Sequence, residues 1–260
     1  MIFGISTACM YPKNLESVIQ QYGEDGIQEI EIFVNTFSEL SESFIHNVED
    51  ALSVYKMKVC AFHPFTSGLE PLMLFSEYER RFNDMLDLYR RYFEIMQRIG
   101  AKVFVFHGDH KTSSTPPEIY ADRYYRLRQV ALPYGVVVAQ ENVSRCKSGD
   151  LDYLKQVISL LKKDISFVFD IKQAVRSGVN PMDVAHVMGE RLIHLHANDH
   201  DCEHDCLLPG EGMFDFRSLY QYLSLNNCNF TTVIEVYRKN FKDENQLLKS
   251  LNFLKQIYKK

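Results

Sequence analysis

Six residues able to hold a metal ion or move a proton stand at equivalent places along this chain: His63, His107, Glu141, Asp170, His196 and Glu235. Each closes a short apolar run. The clearest run is residues 135–143, Gly-Val-Val-Val-Ala-Gln-Glu-Asn-Val, where small apolar residues follow Pro133 and Gly135 and lead directly to a carboxylate. Such a run suits a strand buried on both faces. An ionised Glu at its end is costly unless it is paired or bound to a metal. The same pattern recurs with other metal-capable endings at residues 58–63, 102–107, 165–170, 192–196 and 231–235. Imidazoles and carboxylates without thiolates suit Zn²⁺ or Mn²⁺. His63, His107 and Glu141 could hold one ion, and Glu141, Asp170, His196 and Glu235 a second, with Glu141 bridging.

These residues share one site only if the fold brings the strand ends together. Two earlier runs, residues 2–7 and 27–33, also read as strands, giving eight. Helical patterns separate them. Asn14 is a candidate cap for a helix near residues 15–22, and Ser41 or Ser43 for one reaching residues 51–55. Ser76 reads as the cap of a long charged helix with Phe82, Met85, Leu86, Tyr89, Phe93 and Met96 at spacings of three and four, ended by Gly100. A loop at residues 108–117 precedes a helix reaching about residue 132. Ser148 or Asp150 caps the next, and Pro181 starts another after a helical segment at residues 171–177. A long polar loop, residues 197–214, leads to a helix near residues 216–225, and a last helix covers residues 243–258. Regular strand–helix alternation implies parallel strands with right-handed crossovers. Eight such units predict an α/β chain forming one (β/α)8 barrel over residues 1–260, with its site at the C-terminal face of the strands.

Composition narrows the function classes. The 260 residues are 46% hydrophobic and 24% charged, ample for a large core. No run of 18 apolar residues exists, so no membrane span is expected. The opening residues look like a strand rather than a basic, cleavable leader. Six scattered cysteines without a C-x-x-C pair read as reduced thiols, as in a cytoplasmic protein. A net charge of −5 offers no general footprint for nucleic acid.

The order His63, His107, Glu141-Asn142, Asp170, His196-Ala197-Asn198-Asp199, Gly210-Glu211-Gly212, Glu235 resembles the xylose isomerase-like barrel superfamily. That group contains sugar and sugar-phosphate isomerases and epimerases and the endonuclease IV type of abasic-site nuclease. The resemblance implies a metal site of Glu141, Asp170, His196 and Glu235. It also shows departures from the nuclease. Gln173 stands where the nuclease has a His ligand three residues after the strand-six Asp. His204-Asp205-Cys206 stands where it has Asp-x-His. A neutral amide is a poor zinc ligand, so a third metal site looks degraded, and His204 and Cys206 read as solvated loop residues.

The chemistry that fits is proton transfer beside a carbonyl. A divalent ion stabilises the enediolate formed on deprotonation, and Glu141 and Glu235 could act as base and acid from opposite faces. Lys172, Arg145, Arg176 and Arg238 follow strand ends and could reach a substrate phosphate or hydroxyl. His194, two residues before His196 on the same side of its strand, could orient it. Phe33 and Phe65 could wall the pocket. The expectation is an isomerase or epimerase of a small sugar or sugar phosphate with one Zn²⁺ or Mn²⁺ ion, or two; a homo-oligomer is compatible with it. The alternatives are a metallo-phosphodiesterase acting on abasic DNA and a metal-binding barrel without turnover.

Overall fold

Eight short runs, most of them too apolar to face water on either side, become the strands β1 (Ile2–Ser6), β2 (Glu29–Val34), β3 (Lys58–Pro64), β4 (Val103–Phe106), β5 (Val137–Glu141), β6 (Ser166–Asp170), β7 (Leu192–Ala197) and β8 (Thr231–Ile234). The computed structural model describes residues 2–226 and 228–259. The strands pair in sequence order, all parallel, and β8 pairs back onto β1 to close a barrel. Parallel neighbours need a crossover, supplied by helices α1 (Leu15–Glu24), α2 (Glu42–Tyr55), α3 (Glu70–Met73), α4 (Glu79–Ile99), α5 (Pro117–Ala131), α6 (Leu151–Leu161), α7 (Ile171–Arg176), α8 (Pro181–Met188) and α9 (Phe216–Leu225). The last helix, α10 (Glu244–Tyr258), packs against β1. Among the described residues no helix is long and apolar enough to cross a membrane.

Alternation along the strands builds the site. Ala61, Val105, Ala139, Val168 and Val233 belong to a small cluster separate from the main core, in the narrow barrel interior where only small side chains fit. Side chains two residues apart share a face. The next inward positions are therefore His63, His107, Glu141, Asp170 and Glu235, and His196 follows His194 in the same way. The intervening residues, Phe62, Phe104, Phe106, Phe167 and Phe169, point outward into the layer between strands and helices. There α4 buries Phe82, Met85, Leu86, Tyr89, Phe93 and Met96, the stripe its spacing predicts.

Several local expectations change. Ser76 does not cap α4: Tyr78 is the cap residue, and Ser76 Oγ instead accepts from the Tyr78 N–H at 3.1 Å. Asn14 precedes α1 without a side-chain capping bond. Ser41 and Asp150 cap α2 and α6, each accepting a bond from the first helical turn. The short helix α3 falls in a stretch the sequence pattern left as a connection. The polar loop after β7 is organised by Asp199, whose carboxylate accepts from the backbone N–H groups of His200, Gly210 and Phe214 at 2.8, 3.0 and 2.9 Å.

Candidate metal centre and its cavity

Four of the strand-end residues converge at the C-terminal mouth. Glu141, Asp170, His196 and Glu235 each offer one donor atom, all within 4.8 Å of one another. His196 Nδ1 lies 3.4 Å from Glu141 Oε1, 3.4 Å from Glu235 Oε2 and 3.7 Å from Asp170 Oδ2. It is buried and has no hydrogen-bond partner. Its other nitrogen, Nε2, stands 3.0 Å from Glu31 Oε2. A carboxylate there accepts from the Nε2–H and leaves the Nδ1 lone pair aimed at the centre, the usual support for a ligating histidine.

Glu31 lies inside β2, fully buried, where the β2–β3 register shifts between Ile30 and Glu31. Its Oε2 also faces His194 Nε2 at 3.0 Å, and Ser6 Oγ donates to its Oε1 at 2.9 Å. Burial pushes this carboxyl up, but the charge of His196 and the bonds from both histidines hold it well below the ordinary range. His194 thus supports the same carboxylate as His196 rather than lining the cavity. Burial works against a charge on His196 as well, yet Glu235 and Glu31 outweigh it and raise the imidazole well above its ordinary range.

A second group, His63, His107 and Glu141, also brings donor atoms within 4.8 Å. His107 Nε2 lies 2.8 Å from Glu141 Oε2 and 3.1 Å from His63 Nε2. Arg145 Nη2 stands 3.0 Å from His107 Nδ1. A guanidinium only donates, so Nδ1 accepts, and the Nε2–H of His107 is directed to His63 Nε2, with Glu141 Oε2 close beside it. In this arrangement His107 could ligate through Nε2 only if Arg145 withdrew. His63 is kept neutral by burial and by the neighbouring His107, its pKa pushed down to about 3. Below them, Glu70 Oε2 accepts from the N–H groups of His107 and Gly108 at 3.0 and 2.6 Å, and Tyr89 donates to Oε1 at 2.8 Å. Gly108 has φ +82°, and a Cβ there would stand 2.8 Å from Gln140 Oε1. Glycine lets the chain turn sharply after His107.

Asp170 is fixed on every side. Its Oδ1 accepts from Gln173 N at 3.2 Å and Asn198 Nδ2 at 3.0 Å, so it also caps α7. Asn142 ties the ends of β5 and β6 together, accepting from Asp170 N at 2.7 Å and donating to Asp170 O at 2.9 Å. Asp170 Oδ2 and Glu235 Oε2 both hold the Lys172 ammonium. The three carboxylates and the free imidazole nitrogen are hard and borderline donors that fit a divalent ion. Burial raises the Glu235 carboxyl, whereas His107 and His196 hold Glu141 well below the ordinary range despite its burial.

Above the donors is a cavity of about 450 Å³ with Glu141, Glu235, Lys172 and Arg145 facing it. Phe33, Phe65, Tyr11 and Tyr237 form its walls. Other candidates lie apart. Arg238 turns away and donates to the carbonyls of Phe241 and Lys242 at 2.8 and 3.4 Å, so it does not face the cavity. Arg176 pairs with Asp205 and donates to the Tyr237 hydroxyl. Lys172 is buried in the ligand cluster, not extended towards a phosphate. Gln173 Oε1 accepts from Ser144 N and Oγ at 3.1 and 2.9 Å. Cys206 is buried rather than solvated, and exposed His204 pairs with Asp201. Among the described residues neither joins a metal-capable group.

The profile of the xylose isomerase-like TIM barrel family matches residues 19–257. No curated protein matches the chain by sequence comparison. Among solved structures, a D-tagatose 3-epimerase-like protein is 22% identical with a TM-score of 0.79, over 100% of this chain and 97% of that one. A 3-keto-D-glucoside 4-epimerase from E. coli is 21% identical with a TM-score of 0.77, over 98% and 99%. A D-allulose 3-epimerase from Methylomonas sp., in complex with D-allulose, is 16% identical with a TM-score of 0.80, over 99% and 97%. At these identities the likeness is one of fold.

Proposed function

The chain belongs to the xylose isomerase-like TIM barrel family, and from that premise we propose that it is a divalent-metal-dependent isomerase or epimerase of a sugar or sugar phosphate. The observation that carries this reading is the convergence of Glu141, Asp170, His196 and Glu235 beneath a cavity sized for a small molecule. When bound there, Zn²⁺ or Mn²⁺ would polarise a substrate carbonyl and favour loss of the neighbouring proton. Asp170 and His196 are wholly buried and serve only as ligands. Glu141 and Glu235 face the cavity from different strands and are the groups that move the proton. Standing on different strand ends, they can act on opposite faces of the substrate, one taking the proton and the other returning it. The aromatic walls suit the C–H faces of a sugar.

Nuclease chemistry has less support. Gln173 is engaged by Ser144, His204 and Cys206 lie outside the cluster, and the chain is net acidic. Elemental analysis of unsupplemented protein, together with a panel of ketoses and ketose phosphates followed for epimer formation, tests the proposal. Metal-free protein that refuses added Zn²⁺ and Mn²⁺ and turns over no member of the panel would overturn it.

A further inference from the structure

Lys172 is the least expected member of the site. It is the second residue of α7, only 3% exposed, and its ammonium contacts Asp170 Oδ2 and Glu235 Oε2. Those are two of the four converging donor atoms. A third, His196 Nδ1, is wholly buried, faces the same centre and has no hydrogen-bond partner. A buried ammonium is costly unless paired, and carboxylates crowded together are costly unless a cation stands among them. Lys172 meets both needs from within the chain. It does so on the side of the cluster that opens to the cavity, which its side chain lines.

We propose that Lys172 is an internal counter-cation that occupies the ligand cluster until a divalent ion displaces it from Asp170 and Glu235. The inference rests on the reading of the four donors as a metal site. An ion held by those atoms and an ammonium bonded to two of them compete for the same lone pairs, and like charges repel strongly at that range. Metal uptake therefore turns Lys172 towards the cavity, where its ammonium meets water or a substrate oxygen. The lysine holds the metal-free mouth together and weakens metal binding.

The test is calorimetric titration of the chelator-treated protein with Mn²⁺, and separately with Zn²⁺, at one fixed pH, alongside the melting temperature of each metal-free protein. Lys172→Met is expected to bind the ion roughly tenfold or more tightly than the wild type, and to melt several degrees lower without metal, the gap closing at saturating Mn²⁺. Lys172→Gln, the second uncharged variant, should gain affinity in the same way and carries the comparison if Lys172→Met does not fold. Lys172→Arg, which keeps the charge, should gain none. Equal affinity in the wild type and both uncharged variants overturns this proposal and leaves the metal site standing. Binding by none of the proteins overturns both.

Discussion

Glu31 Oε2 stands 3.0 Å from His196 Nε2, joining β2 to β7 across the barrel interior. This contact fixes which nitrogen of His196 carries the proton. Glu31→Gln keeps the shape but can present a donor where an acceptor is required. Metal affinity is expected to fall by about 10–100-fold, the usual cost of losing such support, with the barrel still folded. Titration calorimetry checks this, and unchanged affinity would remove Glu31 from the site.

Glu31 also marks where the sequence stopped being readable. Its strand was legible from the apolar run, but Glu31 stands in mid-strand, and its partners lie 163 and 165 residues away on β7. The available signal was a carboxylate inside an apolar strand, which has to be paired. Glu70 is illegible for a related reason: it lies on a short helix in a connection with no periodicity to read. The strand ends were legible because each run closes on a polar residue, and barrel topology then gathers those ends. Side-chain direction in loops was not. Arg238 and Lys172 both follow strand ends, yet one folds back onto local carbonyls and the other enters the cluster. Ser76 looks like a cap in the sequence because it precedes the helix closely, but its side chain bonds to Tyr78 N, just before the helix begins.

The tautomer imposed on His107 by Arg145 sets the expected metal count. One tightly held divalent ion per chain is predicted, abolished or strongly weakened by Asp170→Ala, whereas His63→Ala leaves the count at one. Inductively coupled plasma analysis against protein concentration decides. Two ions in the wild type and one in His63→Ala would show that Arg145 yields its place.

Glu70 gives a pH signature. Burial pushes its carboxyl from 4.5 up to about 7, so the folded chain keeps a proton that the unfolded chain has lost. Its contribution is complete below about pH 4.5 and is lost as pH rises through about 7, on the order of 3 kcal/mol in all. Glu70→Gln has no proton to lose. The stability difference between variant and wild type, from urea titrations of metal-free protein across this range, should therefore shift steadily in favour of Glu70→Gln. A difference independent of pH would show that Glu70 is ionised throughout.

Abasic duplex DNA should be cleaved negligibly. The phosphate attraction that dominates DNA affinity has no evident source in a chain of net charge −5. Cleavage by protein freed of contaminating nuclease, absent in Glu235→Gln, would reverse the ranking of the two chemistries.

The most direct measurement is solvent deuterium incorporation, followed by NMR, into small ketoses and ketose phosphates incubated with metal-loaded protein. Deuterium should enter at the carbon beside the carbonyl of at least one compound. Glu141→Gln and Glu235→Gln should each slow the exchange by about 10²–10⁴-fold, and removal of the metal should suppress it. Exchange that continues unchanged in both variants, or no exchange with any compound in metal-loaded wild type, would contradict proton transfer by this glutamate pair.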